Sequence, residues 1–281
     1  MDNGGRKLEL HMLSMFHVAL DGQTVNGRLG GKARQLLKIL SANRHKCLPK
    51  DLLIDMIWPN SDPDAAAVSL KVTAHNLRSA LDPEKTNGSP GHWVIAESGT
   101  YRLNPEASIW IDVEEFRDLY ELGRRLDANG DMAGGWRAFE RCEALYAGDF
   151  LEEDMYEDWT IVLREQLRDL YLDVLGRLAV LATREGVHHD VIRYCHKIIT
   201  ADPCREDAYR LLMRSHGALN QVARAGAWYA VCRSVLQREV GVPLSPETET
   251  EFERLFQADD AEDLFTLRTG ARARAGGSRR V

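Results

Sequence analysis

No run of apolar residues in this 281-residue chain approaches the roughly 20 that a helix needs to cross a bilayer. The opening Met1-Asp2-Asn3-Gly4-Gly5 lacks the charged-then-apolar pattern of a secretory leader, so a cytoplasmic location and no membrane partner are expected. Cysteine is sparse and odd in number: Cys47, Cys142, Cys195, Cys204 and Cys232 are widely spaced, with no C-x-x-C pair. That pattern argues against a disulfide framework and for buried free thiols. Extreme composition is also missing. With 44% apolar and 28% charged residues, the chain has enough apolar material for a core, which argues against disorder as its main state. Its length allows two domains.

Acid is absent between Asp21 and Asp51, a stretch that holds Arg28, Lys32, Arg34, Lys38, Arg44, Lys46 and Lys50. The formal charge of -7 hides this division. Residues 1–105 carry 13 Lys+Arg against 10 Asp+Glu, whereas residues 106–258 carry 18 against 29. A polyanion is drawn to the first third and repelled by the middle.

Catalytic signatures are lacking too. Gly27-Arg28-Leu29-Gly30-Gly31-Lys32-Ala33 looks like a phosphate loop but is one residue short, and Ala33 replaces the magnesium-binding hydroxyl. His188-His189, Cys195-His196 and Cys204 contain no ligand pair at i, i+4 spacing. The acidic runs Glu114-Glu115 and Glu152-Glu153-Asp154 read as solvated helix ends. No enzyme activity, cofactor or metal is expected.

What is present begins with the segment Ser69–Leu81. Leu70, Ala74, Leu77 and Leu81 share one helical face, and Lys71, Val72, His75, Asn76 and Ser79 share the other, with Arg78 at the edge. One side wants a core; the other offers donors that reach base edges and phosphates. Around it, Leu8–Leu13 and Phe16–Leu20 read as strands, with Asp21-Gly22 as a turn. Lys32–Ala42 is helical through Ala33, Leu36, Leu37 and Leu40. Pro49 suits the first turn of a second helix that buries Leu52, Leu53, Met56 and Ile57. Asp62-Pro63 is a cap and first-turn pair for the third helix. Asn87-Gly88-Ser89-Pro90-Gly91 is a loop, and Trp93–Ile95 and Tyr101–Leu103 flank Glu97-Ser98-Gly99 as a hairpin. The order is that of a winged helix-turn-helix.

From Ile111 onward the pattern is helical, at about 112–128, 131–146, 156–185, 188–201, 205–219, 221–239 and 245–257. A loose period near 35 pairs Tyr194 with Tyr229 and Gly186 with Gln221, which suits tetratricopeptide-like helical hairpins. The expected fold is therefore mainly α: a winged helix over 8–105, an all-α helical-hairpin domain over 106–258, and a flexible tail over 259–281.

Together these halves resemble the Streptomyces antibiotic regulatory protein family, which joins an OmpR-type winged helix to a bacterial transcriptional activator domain. The resemblance rests on Gly31-Lys32-Ala33-Arg34-Gln35-Leu36-Leu37, on Leu48–Trp58, on Leu70–Leu81 and on Tyr101-Arg102-Leu103. In the second half it rests on Asp112–Phe116, Tyr146–Leu151, Asp207–Met213 and Glu239–Thr248. It implies an activator that binds direct repeats in double-stranded promoter DNA as a homodimer and contacts RNA polymerase holoenzyme through a sigma factor, in many members at specialised-metabolite gene clusters.

On that reading Arg34, Lys46 and Lys50 set the protein on phosphates. Ser69, Lys71, Thr73, His75, Asn76 and Arg78 lie in or beside the major groove. Thr100 and Arg102 act from the wing. The chain departs from the family at Asn76, where Arg is common, at Glu97, where the wing often has Arg, and at Thr100, where Gly is common. The rival reading is a scaffold in which the helical hairpins bind a protein or effector along aromatics such as Trp136, Tyr171 and Trp228, and the winged helix serves dimerisation.

Overall fold

The structure, a computed structural model, describes residues 6–82 and 93–255. The expected loop at 87–91 and the tail over 259–281 lie outside the described residues. In chain order, β1 (Leu8–His11), β2 (His17–Leu20) and β3 (Gln23–Thr24) lead into α1 (Gly31–Ala42), β4 (Leu48–Pro49), α2 (Lys50–Ile57) and α3 (Pro63–Leu81). The hairpin of β5 (Val94–Glu97) and β6 (Thr100–Leu103) follows, then β7 (Ile109–Ile111). The helices α4 (Asp112–Ala128), α5 (Met132–Leu145), α6 (Asp158–Arg184), α7 (His188–Ala201), α8 (Glu206–Ala218) and α9 (Val222–Glu239) complete the order, and residues 246–255 are also helical. Among the described residues, no helix is long and apolar enough to cross a membrane.

Two compact units form: residues up to Leu122 with Ala144–Arg168, and Gly123–Glu143 with the residues from Asp169 on. In the first, β3-β2-β1-β7 make one sheet, with β1 antiparallel to β2 and parallel to β7. Alternation along β1 buries Leu8 and Leu10 completely. Asp21 and Gly22 both adopt positive φ, the geometry of a two-residue turn matched to strand twist, and join β2 to β3. A second sheet, β4-β6-β5, carries the wing, and its turn residues Ser98 and Gly99 repeat that geometry.

Helix starts follow their local chemistry. Asp62 caps α3 by accepting from the amides of Asp64 and Ala65 at 3.1 and 3.0 Å, with Pro63 in the first turn. Pro49, expected inside α2, is instead its capping residue. Its extended backbone lets Leu48 and Pro49 pair with β6, where a missing amide costs nothing at an edge. Leu52, expected in the core, faces solvent, and Ile54 takes its place beside Leu53 and Ile57. The expected stripe of α3 is buried: Leu70, Ala74, Leu77 and Leu81 are each at most 2% exposed.

In the second unit three helices end alike. Gly130, Gly186 and Asn220 adopt left-handed φ values of 82°, 71° and 56°. The next residue's amide then reaches back five positions, from Asp131 to Leu126, Val187 to Ala182 and Gln221 to His216, at 2.8–2.9 Å. These caps set the repeat register at Gly186 to Asn220, correcting the expected match of Gly186 to Gln221. Val191 and Ile198 then align with Ala225 and Cys232, all buried. Most of the aromatics pack: Phe139, Tyr171, Tyr194 and Tyr209 are buried, Trp228 packs against Tyr209, and Tyr229 stacks on Phe252 at 3.9 Å, whereas the half-buried Trp136 lines a cavity with Met132, Ala133 and Leu181. The last helical segment is fastened to α8. Glu206 accepts from Ser245 and Thr248 at 2.6–3.3 Å, and Arg214 pairs with Glu251 at 2.6 Å. Burial pushes the Glu206 carboxyl up, but these hydrogen bonds outweigh it and hold it below the usual range.

Candidate nucleic-acid interface

The polar face of α3 is open. Lys71, His75, Asn76 and Ser79 are exposed, opposite the buried leucines. Ser69 is half-buried and returns its hydroxyl to the carbonyl of Ala65 at 2.9 Å. Thr73 is buried, because three positions after Leu70 and four before Leu77 its side chain falls on the core side. Arg78, at the edge, is half-buried and donates Nε to the carbonyl of Val94 at 3.0 Å, which fastens the helix to the wing. On the wing, Arg102 and Thr100 share the outward face with their strand partners Ile95 and Glu97. The Thr100 hydroxyl closes the turn on the carbonyl of Glu97 at 2.9 Å. The amide of Lys50 donates to Gly99 at 2.9 Å, so the start of α2 and the wing turn are one piece.

The acid-free stretch divides in the structure. Arg28, Lys46 and Lys50 are exposed, with no carboxylate partner among the described residues. Lys32 donates to the carbonyl of Ile57 at 2.8 Å and to Gln35 at 3.1 Å. Arg44 donates to the carbonyl of Ile109 at 2.6 Å and lies 3.6 Å from Glu114. Arg34, expected on phosphates, is committed inward: it donates to the carbonyl of Phe16 and pairs with Glu153 at 3.1 Å. Lys38 is almost wholly buried, paired with Glu153 and, at 2.6 Å, with Asp154. Within the run Glu152-Glu153-Asp154, expected to be solvated, Glu153 and Asp154 therefore form a clasp on α1, while Glu152 stays exposed. Burial pushes the Glu153 carboxyl up, but the hydrogen bonds and charges of Lys38 and Arg34 more than offset it, so it lies below the usual carboxylate range.

The clasp is held by a buried frame. Leu151 and Glu152 donate their amides to the carbonyls of Met12 and Ser14 at 2.8 and 3.2 Å. The buried Arg164 donates to the carbonyls of Phe150, Leu151 and Asp154 at 2.9–3.2 Å. Asp112 accepts from the amides of Met12, Leu13 and Val113 at 2.7–2.8 Å. Burial nevertheless pushes its carboxyl up to about 6, the amide bonds pulling the other way. Cys47 is exposed, contrary to expectation, whereas Cys142, Cys195 and Cys232 are buried. Among the described residues no group of three His, Cys, Asp or Glu is placed to hold a metal.

A three-helix core with an open third helix and an attached hairpin, followed by stacked helical hairpins, is the architecture of a transcription regulator. Known families agree with this. Residues 23–94 match the transcriptional regulatory protein C-terminal family, and residues 111–256 match the bacterial transcriptional activator domain. The regulatory protein AfsR of Streptomyces coelicolor is 25% identical over 265 residues, covering 91% of this chain and 25% of that protein. The transcriptional regulatory protein MoaR1 of Mycobacterium tuberculosis is 23% identical over 233 residues, covering 83% of this chain and 74% of that protein. The chain thus spans about a quarter of the length of AfsR. The solved structure of Mycobacterium tuberculosis EmbR shares the fold, with a TM-score of 0.74 and 20% identity over 90% of this chain and 66% of that one. The chain belongs to the Streptomyces antibiotic regulatory protein family of transcriptional activators.

Proposed function

We propose that this activator works in the cytoplasm without catalysis, binding direct repeats in promoter DNA as paired protomers and contacting sigma-containing RNA polymerase holoenzyme. A specialised-metabolite gene cluster is the target the family resemblance favours. The observation that carries the DNA-binding reading is the exposed polar face of α3, fixed by the buried stripe behind it. Lys71, His75 and Asn76 read bases, with Asn76 suited to adenine. Ser69 lies at the margin of that face. Lys46, Lys50 and Arg102 neutralise phosphates. Thr73 acts within the core, Arg34 within the clasp, Arg78 as the fastening of the wing, and Thr100 as the closure of the wing turn.

The protein partner is assigned to an exposed apolar stretch, Met155, Tyr156, Ile161 and Val162, of which Tyr156 is 93% exposed. Residues of this kind exposed close together mark interaction surfaces. Footprinting on a duplex selected by the whole chain tests the pairing. Two protected half-sites in the same orientation support it, and an inverted repeat or a single half-site contradicts it.

A further inference from the structure

The polar face of α3 contains an anomaly. Val68 and Val72, one turn apart, are 62% and 53% exposed, and they stand among Lys71, His75 and Asn76. Neither folding nor helix propensity favours them there. An exposed valine gains nothing from burial, and β-branching makes it a poorer helix former than alanine. Two of them one turn apart on a face otherwise polar form a small apolar patch that a partner can cover.

The major groove presents one apolar group, the C5-methyl of thymine, and this face is the one that the proposed function puts against it. We propose that Val72, with Val68 one turn earlier, reads thymine methyl groups in the bound duplex and is a specificity-determining residue of this chain. The neighbourhood supports that ligand. Asn76 lies one turn beyond Val72 on the same side and is suited to adenine N6 and N7, so the two side chains together fit a step built of A·T pairs. Lys71 beside them supplies charge but no apolar contact. The inference rests on the DNA-binding reading and adds to it which bases the helix prefers and by which atoms.

The test uses the whole chain and a duplex it selects from a random pool. Each thymine of the selected site is replaced singly by deoxyuridine, which removes the methyl and leaves the hydrogen-bonding edge unchanged. The wild type is expected to lose about fourfold in affinity at one or more positions, the worth of one buried methyl. Val72→Ala or Val68→Ala should bind the two duplexes equally at those positions. Both variants keep the helix, and alanine's better helix propensity should leave thermal melting at or slightly above that of the wild type. Two results overturn the inference and leave the DNA-binding reading standing: a wild type indifferent to deoxyuridine throughout, or both variants retaining the full penalty. If the chain selects no duplex, the DNA-binding reading and the inference fall together.

Discussion

Lys38 Nζ lies 2.6 Å from the carboxylate of Asp154, a residue 116 positions later, and shares its charge with Glu153 as well. A lysine only 4% exposed is tolerable because two carboxylates meet it. Lys38→Ala should therefore cost about 2–4 kcal/mol, because it leaves Asp154 without its cation and Glu153 with Arg34 alone. Lys46→Ala, fully outside the clasp, should stay within about 0.5 kcal/mol. Urea unfolding midpoints of the two variants check this. The Glu153 carboxyl is held below its ordinary value, so its contribution is present near neutral pH and is lost as the pH falls through the acid range.

The Asp112 carboxyl behaves oppositely. Its native value is raised from 3.8 to about 6 by burial, so its contribution is fully present below about pH 4 and is lost as the pH rises through about 6. The loss is on the order of 3 kcal/mol, from 1.36 kcal/mol per pH unit. Compared with Asp112→Asn, whose side chain does not ionise, the wild type should lose stability between pH 4 and 6 and run parallel above. A pH series of chemical unfolding on both proteins measures the difference.

Arg78→Ala should loosen the wing before it affects the core. One hydrogen bond to the Val94 carbonyl is worth about 0.5–1.5 kcal/mol net. Faster amide exchange at β5 and β6, with unchanged exchange in α1, is the expected signature. Uniform exchange across the unit would place the role of Arg78 elsewhere.

Tyr156→Asp should separate binding from activation. The ring is exposed, so folding and DNA affinity should stay near wild type. Transcription in a reconstituted promoter assay should fall several-fold. Full activation by this variant would remove Tyr156 from the partner surface.

Much of the first unit was legible in the sequence because its signals are local. The i, i+4, i+7 stripe of α3, the Asp62-Pro63 cap and the Ser98-Gly99 turn each depend on residues within a few positions, and each is found in the structure. What sequence could not reach is long-range. Arg34 looks like a free cation until Glu153, 119 positions later, folds against it. Asp112 looks like a helix start until its carboxylate is seen to bond the amides of Met12 and Leu13. Asn220 hid the repeat register because asparagine can take the left-handed conformation that glycine takes at 186. A fragment cut at 105 would strand Lys38 without its carboxylates and Met12 without its acceptor, so the whole chain is the proper object of binding experiments.

The most direct measurement is the salt dependence of duplex affinity for the wild type, Lys71→Ala, Asn76→Ala and Lys50→Ala on a selected site and on unrelated DNA. Asn76→Ala should lose about 1–3 kcal/mol on the selected site alone, and Lys50→Ala should weaken both duplexes while lowering the log–log salt slope by about 0.9. Wild-type affinity and slope in all three variants would contradict the assignment of this face to DNA.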